Sequence, residues 1–290
     1  DGAASAPVRP SVQRVEPVRR NVPKGPVGRP LPALTEASEF GALPKIARDG
    51  LRPFDAYSVR GTSGVSARIA IVVTGLGLSQ TGTLTAINAL PPSVTLAFSP
   101  FGNSLNRWML KARQGGHETV LQLPMEPLGY PTIDPGPRTL TSVAERGANL
   151  ANLRWALGRM TNYPLVMNYL GAGLTTKRRA MEPLLDELNS RGLGYFDDGT
   201  VRASIVPVLS KQKRMPNARG SLTLDSRRDK ASIEAALAQL EQQAKARGFA
   251  AGTAAAFPAT IDVIAAWVKA AQARGVAIVP VSNLLRDYSR

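Results

Sequence analysis

The chain has 290 residues, no cysteine, a single histidine, 43% hydrophobic residues and a formal net charge of +15. At roughly 100–200 residues per domain this is one large domain or two modest ones, each able to bury a core without a metal or disulfide. Absent thiols exclude disulfides, thiolate zinc sites, iron–sulfur clusters and cysteine nucleophiles; one imidazole excludes a multi-histidine metal site, and any serine triad would have to run through His117.

Residues 1–32 are rich in Pro, Arg, Val and Ser without apolar periodicity and read as an extended, disordered tether. A run of about 18 apolar residues is missing, so no transmembrane span is expected. The chain starts at Asp1 rather than methionine, from which an absent N-terminal signal or anchor is expected. Residues 33–67 carry isolated anchors, Phe40, Leu43, Phe54 and Tyr57, and read as an irregular strap.

From Arg68 onward strands and helices alternate. ARIAIVVTGLG reads as a buried strand ending in a glycine loop, SQTGTLTAINAL as a helix, SVTLAFSP as a strand, SLNRWMLKARQGG as a helix and HETVLQLPM as a strand. The helix AERGANLANLRWALGRM, the strand LVMNYLG, the helix RRAMEPLLDELNSRG and the strand LGYFDD follow. ASIVPVLSKQ reads as helical despite Pro207, and ARGSLTLDS as the next strand. KASIEAALAQLEQQAKARG is a capped helix ended by Gly248, and the strand FAAGTAAAF, the helix TIDVIAAWVKAAQARG and the strand VAIVPVS complete the series. About eight strands interleaved with helices predict an α/β fold, a single (β/α) barrel, over residues 68–290.

The basic excess points to anionic surfaces, but 6% aromatics and scattered basic patches without a recognisable motif argue against nucleic acid. GLGLSQTG and YLGAGL lack G-x-G-x-x-G spacing and a Walker lysine, so they read as tight β-to-α turns. In a barrel of this kind the chemistry sits where strands end. The rim is then Thr74–Gly75, residues 98–103, 122–126 and 168–172, Asp197–Asp198, Asp225–Ser226 and residues 254–258.

Those same strand ends carry a resemblance. RIAIVVTGLG, VTLAFSPFGNSL, GHETVLQLPMEP with YPTIDPGPRTL, MNYLGAGLT, LGYFDDGT, LTLDS and FPAT, over about Arg68 to Leu285, are similar to the divergent polysaccharide deacetylases of the bacterial cell envelope. The resemblance implies a distorted (β/α) barrel of the polysaccharide deacetylase type. In active members a metal held by an aspartate and two histidines activates water against an N-acetyl carbonyl, with a carboxylate base and a histidine acid.

This chain departs from that pattern. The family's aspartate pair is replaced by Thr74 and Gly75, a histidine of the third strand by Gln122, its Asn-His by Asn168 and Tyr169, and its His-Pro-x-Pro by Ala255, Ala256, Phe257 and Pro258. His117 lies at the start of its strand, away from the rim, and reads as structural. No metal and no other cofactor is therefore expected. Asn103, Gln122, Glu126, Asn168, Tyr169, Asp197, Asp198 and Asp225 remain as an acidic, amide-rich rim of the sort that could bind sugar hydroxyls, each with a scaffolding role as the alternative.

The expectation is a periplasmic, glycan- or peptidoglycan-binding or regulatory protein without catalysis, held at the inner membrane by a segment outside this chain. Two alternatives stay open. One is an active hydrolase using Asp197 and Glu126; the other is a module whose basic face, with Arg227 and Arg228, docks an acidic envelope protein. An open mouth favours glycan; one plugged by Tyr169, Phe257 and the strap leaves only interaction.

Overall fold

The computed structural model describes residues 29–61 and 67–286. Most of the expected tether, residues 1–28, lies outside them.

Residues 33–61 are more regular than the sequence suggests. A hairpin, β1 (Thr35–Ser38) and β2 (Gly41–Pro44), is followed by a short helix, α1 (Pro53–Tyr57). Leu34, Ala47, Leu51 and Tyr57 form a small cluster of their own, which gives the segment a reason to order.

The main body runs β3 (Arg68–Leu76), α2 (Gln80–Ala89), β4 (Thr95–Phe98), α3 (Leu105–Gln114), β5 (Thr119–Met125), α4 (Arg146–Leu157), β6 (Leu165–Leu170) and α5 (Arg178–Ser190). It continues with β7 (Gly194–Asp197), α6 (Val206–Gln212), β8 (Asn217–Arg219), β9 (Leu222–Thr223), α7 (Lys230–Arg247), β10 (Phe249–Ala255), α8 (Pro258–Ala273) and β11 (Ala277–Ile278). The strands of this body pair in parallel in the order β8-β7-β6-β5-β4-β3-β10-β9, and β11 pairs with the start of β3. This is the expected α/β architecture, a curled parallel sheet of the barrel type with helices outside it.

Two strands differ from expectation. ARGSLTLDS breaks at Gly220: β8 pairs with β7 and β9 pairs with β10, so one stretch of chain joins both edges of the curl. Gly220 N–H donates to Asp197 O and Ser221 N–H to Ala251 O, both at 2.7 Å. A Cβ at Gly220 would collide with the Asp198 carbonyl, so the crossing needs glycine. The expected last strand is cut to Ala277–Ile278 because Pro280 turns the chain into a short 3₁₀ helix, Val281–Leu284.

Alternation along the strands divides the core in two. Ala70, Val72, Ala97, Val120, Leu165, Met167, Phe196 and Ala251 point inward and pack with Phe54 and Val281. Ile71, Val73, Leu121, Leu123, Val166 and Tyr195 point outward, in one cluster with helix residues such as Leu185, Leu237 and Ile264. Period-2 burial on both faces is what a sheet covered by helices requires. Asp229 caps α7 by accepting from Ser232 N–H at 2.9 Å, and Gly248 ends it at φ +83°, as its sequence predicts.

The end of the curl at the strand starts is closed by the two flanking segments. Phe54 inserts into the inner cluster, so the strap belongs to the core. Val281 N–H donates to Thr95 Oγ1 at 2.9 Å, and Asn283 holds Val59 O and Gly61 N–H. Glu118, fully buried, accepts from Val59 N–H, Ser282 N–H and Ser282 Oγ.

His117 sits beside this end with 1% of its surface exposed, its Nδ1 2.9 Å from Val94 O and its Nε2 3.3 Å from Ile87 O. Burial pushes its pKa below 6.5 more strongly than the two carbonyls raise it. The unfolded chain then takes up the proton first: stability that neutral His117 contributes is present above about pH 6.5 and lost as pH falls through the lower folded value. NMR titration of this single imidazole is expected to give a midpoint below about 6.5, and a higher one would contradict the burial.

Candidate functional site

The opposite end of the curl, at the strand ends, is an open cavity of about 750 Å³, within the range of small-ligand sites. Its floor and walls come from Thr74 and Gly75 near the end of β3, Ser99 and Phe101 after β4, Gln122 on β5, Tyr169 on β6 and Phe257 before α8. The strap does not reach it, because Phe54 closes the other end.

Gln122 is 4% exposed, and its Oε1 accepts from Gly75 N–H at 2.7 Å. That donor sets the amide orientation and leaves the Nε2 group as a donor toward the cavity that Gln122 lines. Gly75 has φ +78°, and a Cβ there would meet open space, so the floor is unobstructed at the position of the family's second aspartate.

Three aromatic rings line the cavity. Phe101 packs on Trp155, with centroids 5.7 Å apart, and its turn is pinned by Arg159, whose Nε donates to Pro100 O at 2.9 Å. Tyr169 is 44% exposed and Phe257 38%, leaving ring surface open to a ligand. The Arg228 guanidinium lies 3.9 Å from the Phe257 ring centroid.

Of the eight residues expected on the rim, Gln122 and Tyr169 line the cavity. The others are placed elsewhere, mostly by turn hydrogen bonds. Glu126 accepts from Ser142 N–H and Oγ and ties down the loop before α4. Asp225 accepts from Ala255 N–H at 2.9 Å and faces Thr260 Oγ1, joining the turn after β9 to the end of β10 and the start of α8. Asn168 Oδ1 accepts from Asp198 N–H and its Nδ2 donates to Leu170 O. Asp198 accepts from Thr200 N–H and Oγ1, and Asn103 is exposed on the turn before α3.

Asp197 is 1% exposed; Oδ1 accepts from Gly199 N–H, whereas Oδ2 has no hydrogen-bond partner among the described residues. Burial raises its pKa against the pull of Ser204 and Gly199. Neither Asp197 nor Glu126, the pair proposed for hydrolysis, lines the cavity, and the lining contains no Asp, Glu or His. The cavity wall is therefore aromatic and amide-bearing where an acidic rim was expected. Phe101 and Phe257 are among the residues that supply its apolar surface; Phe257 is expected at the mouth from the sequence, whereas only its position after a strand marks Phe101.

A metal of the superfamily type does not fit these residues. The positions expected to supply its ligands hold a hydroxyl, a glycine, amides, a phenol and alanines, and no three His, Cys, Asp or Glu side chains converge among the described residues.

Comparison with known proteins agrees with the architecture. An uncharacterized protein from Agrobacterium tumefaciens C58 is 43% identical, with TM-score 0.82 over 84% of this chain and 99% of its own. An uncharacterized Haemophilus influenzae protein is 22% identical over 78% of this chain and 79% of its own length. The catalytic domain of peptidoglycan N-acetylglucosamine deacetylase from Eubacterium rectale shares the fold, with TM-score 0.50 at 10% identity over 78% of this chain and 93% of its own. The divergent polysaccharide deacetylase family matches residues 71–285, and the chain belongs to that family.

Proposed function

We propose that this protein is a non-catalytic member of its family that binds N-acetylated glycan, peptidoglycan among them, in the bacterial cell envelope. The observation that carries the reading is the cavity at the strand ends: three aromatic rings and the Gln122 amide line it, and no carboxylate or imidazole does. Ring faces pack against the C–H faces of a pyranose, and an amide donor meets a hydroxyl or acetamide oxygen. Hydrolysis of an amide needs a nucleophile activator and a place for the oxyanion charge, and the lining offers neither a general base nor a metal-ligand set.

The periplasm is the compartment this reading implies. Among the described residues no helix is long and apolar enough to cross a membrane, so attachment to the inner membrane would fall to a segment other than these.

Calorimetric titration with chitotetraose and with soluble peptidoglycan fragments tests the proposal. Tyr169→Ala and Phe257→Ala are each expected to weaken binding about tenfold while the thermal midpoint stays near wild type. Acetate release that disappears in Asp197→Asn would replace this reading with the hydrolase. Failure to bind any glycan, together with salt-sensitive capture of an acidic envelope protein, would replace it with the interaction module.

A further inference from the structure

We infer that the cavity selects glycans carrying a carboxylate, and that Arg228 is the residue that reads it. The inference rests on the glycan reading of the cavity and adds the chemical class of the ligand.

Three observations converge. Arg228 stacks on Phe257, a ring that walls the cavity, at 3.9 Å from guanidinium carbon to centroid. Arg228 stands beside the cavity and is not itself one of its lining residues, and a guanidinium over a ring face can still turn N–H groups outward to make paired hydrogen bonds to a carboxylate. Arg228 is exposed and forms no ion pair among the described residues, whereas its neighbour Arg227 is engaged with Asp229.

The second observation is the disposition of negative charge. Asp225, Asp198 and Glu126, the carboxylates of the expected rim, are held by turn donors, Asp134 beside the lining residue Pro135 accepts from Gly136 N–H, and none of the four is itself a lining residue. A ligand carboxylate approaching Arg228 therefore has no anionic side chain in the lining to oppose it.

The third is the field of the whole chain. A net charge of +15 raises the local concentration of anionic ligands and lowers that of cationic ones. A glycan stripped of acetyl groups presents ammonium groups and would be repelled; an N-acetylated glycan with acidic sugars would be drawn in. The cavity then discriminates by charge, between glycans whose sugar rings stack equally well on the aromatic walls.

Three tetrasaccharides of different charge provide the test: chitotetraose, which is neutral; its fully de-N-acetylated form, which is cationic; and a hyaluronan tetrasaccharide, which is N-acetylated and carries carboxylates. The hyaluronan probe is expected to bind about tenfold more tightly than chitotetraose at low salt, the advantage shrinking as salt rises, and the cationic probe to bind weakest. Arg228→Gln, which keeps a planar head over Phe257 but removes the charge, is expected to erase that advantage and leave chitotetraose affinity within about twofold. Arg228→Lys restores the charge without the fork and recovers part of it.

Equal binding of the neutral and acidic probes, or an Arg228→Gln loss shared equally by both, would overturn the inference and leave the glycan reading standing. Failure of all three probes to bind would remove the glycan reading, and the inference with it.

Discussion

Glu118→Ala is expected to lower the stability of the folded chain by about 3–5 kcal/mol, because three donors to a buried carboxylate lose their acceptor at about 1–3 kcal/mol each. The carboxylate is 0% exposed and accepts from Val59 N–H at 3.0 Å, Ser282 N–H at 3.0 Å and the Ser282 hydroxyl. Arg113 lies close enough for the charge of Glu118 to act on it, and its Nη1 donates to Tyr57 O at 2.8 Å. Truncation would leave the two amides and the Ser282 hydroxyl without their shared acceptor and would take a nearby negative charge from Arg113, whose pKa burial already lowers. The damage spreads because the donors come from different parts of the chain, Val59 from the strap and Ser282 from the C-terminal turn, and Arg113 on α3 loses the charge beside it.

Burial raises the Glu118 pKa, and the Ser282 and Val59 donors together with Arg113 offset only part of that rise. The folded state thus keeps the proton to higher pH than the unfolded chain. The resulting contribution to stability is full below the unfolded pKa of about 4.3 and is lost as pH rises through the folded value. Urea denaturation from pH 4 to pH 8 is expected to show a shallower decline with pH in Glu118→Ala than in wild type, alongside the drop in midpoint. A loss under about 1 kcal/mol, as for a solvent-exposed pair, would mean that the closed end does not depend on this carboxylate.

Much of the fold was legible because its signals are local. The Gly-terminated helices and the apolar strands β3, β5 and β10 declare themselves by period and by capping, as Asp229 and Gly248 do for α7. The break at Gly220 did not declare itself, since ARGSLTLDS has unbroken strand character and only the meeting of the two sheet edges demands a crossing there. The strap was read as irregular because its anchors are spaced at neither two nor 3.6 residues. Its order comes from tertiary contacts, Phe54 in the inner cluster and Val59 on Glu118, which no local pattern encodes.

The site was legible in position but not in polarity. Strand ends located the rim, and Gln122 and Tyr169 line the cavity there. Glu126, Asp197, Asp198 and Asp225 share that rim in sequence, yet each spends oxygens on a nearby backbone N–H or hydroxyl, because loops that reverse direction after a strand need acceptors. Sequence distance to a strand end cannot tell a carboxylate that faces the cavity from one that holds the turn. Glu118 is hidden for a related reason: it stands beside His117 at the start of its strand, and its donors come from segments far away in sequence.

Gln122→Glu is expected to convert the cavity into a pH-dependent binder. The substitution is isosteric, and one carboxyl oxygen can still accept from Gly75 N–H, which Gln122 meets at 2.7 Å. The other oxygen takes the place of the Nε2 donor. At 4% exposure the new carboxyl is poorly solvated, so its pKa rises above the ordinary glutamate value of about 4.3. Protonated, it presents an O–H where the amide presented N–H, and it binds as glutamine does. Ionised, it offers only acceptors and a negative charge at the cavity floor, and an acidic tetrasaccharide is expected to lose about a hundredfold in affinity, from the missing donor and like-charge repulsion together. The ligand's own carboxylate, with an ordinary pKa, stays ionised at pH 5, so titrations of wild type and Gln122→Glu at pH 5 and pH 8 isolate the protein's proton. The variant should approach wild type at the lower pH and fall away at the higher, with chitotetraose less affected because it carries no charge to repel. Binding unchanged at both pH values would mean that glycan does not meet the Nε2 group of Gln122, and the floor of the cavity would have to be assigned to Thr74 and Ser99 instead.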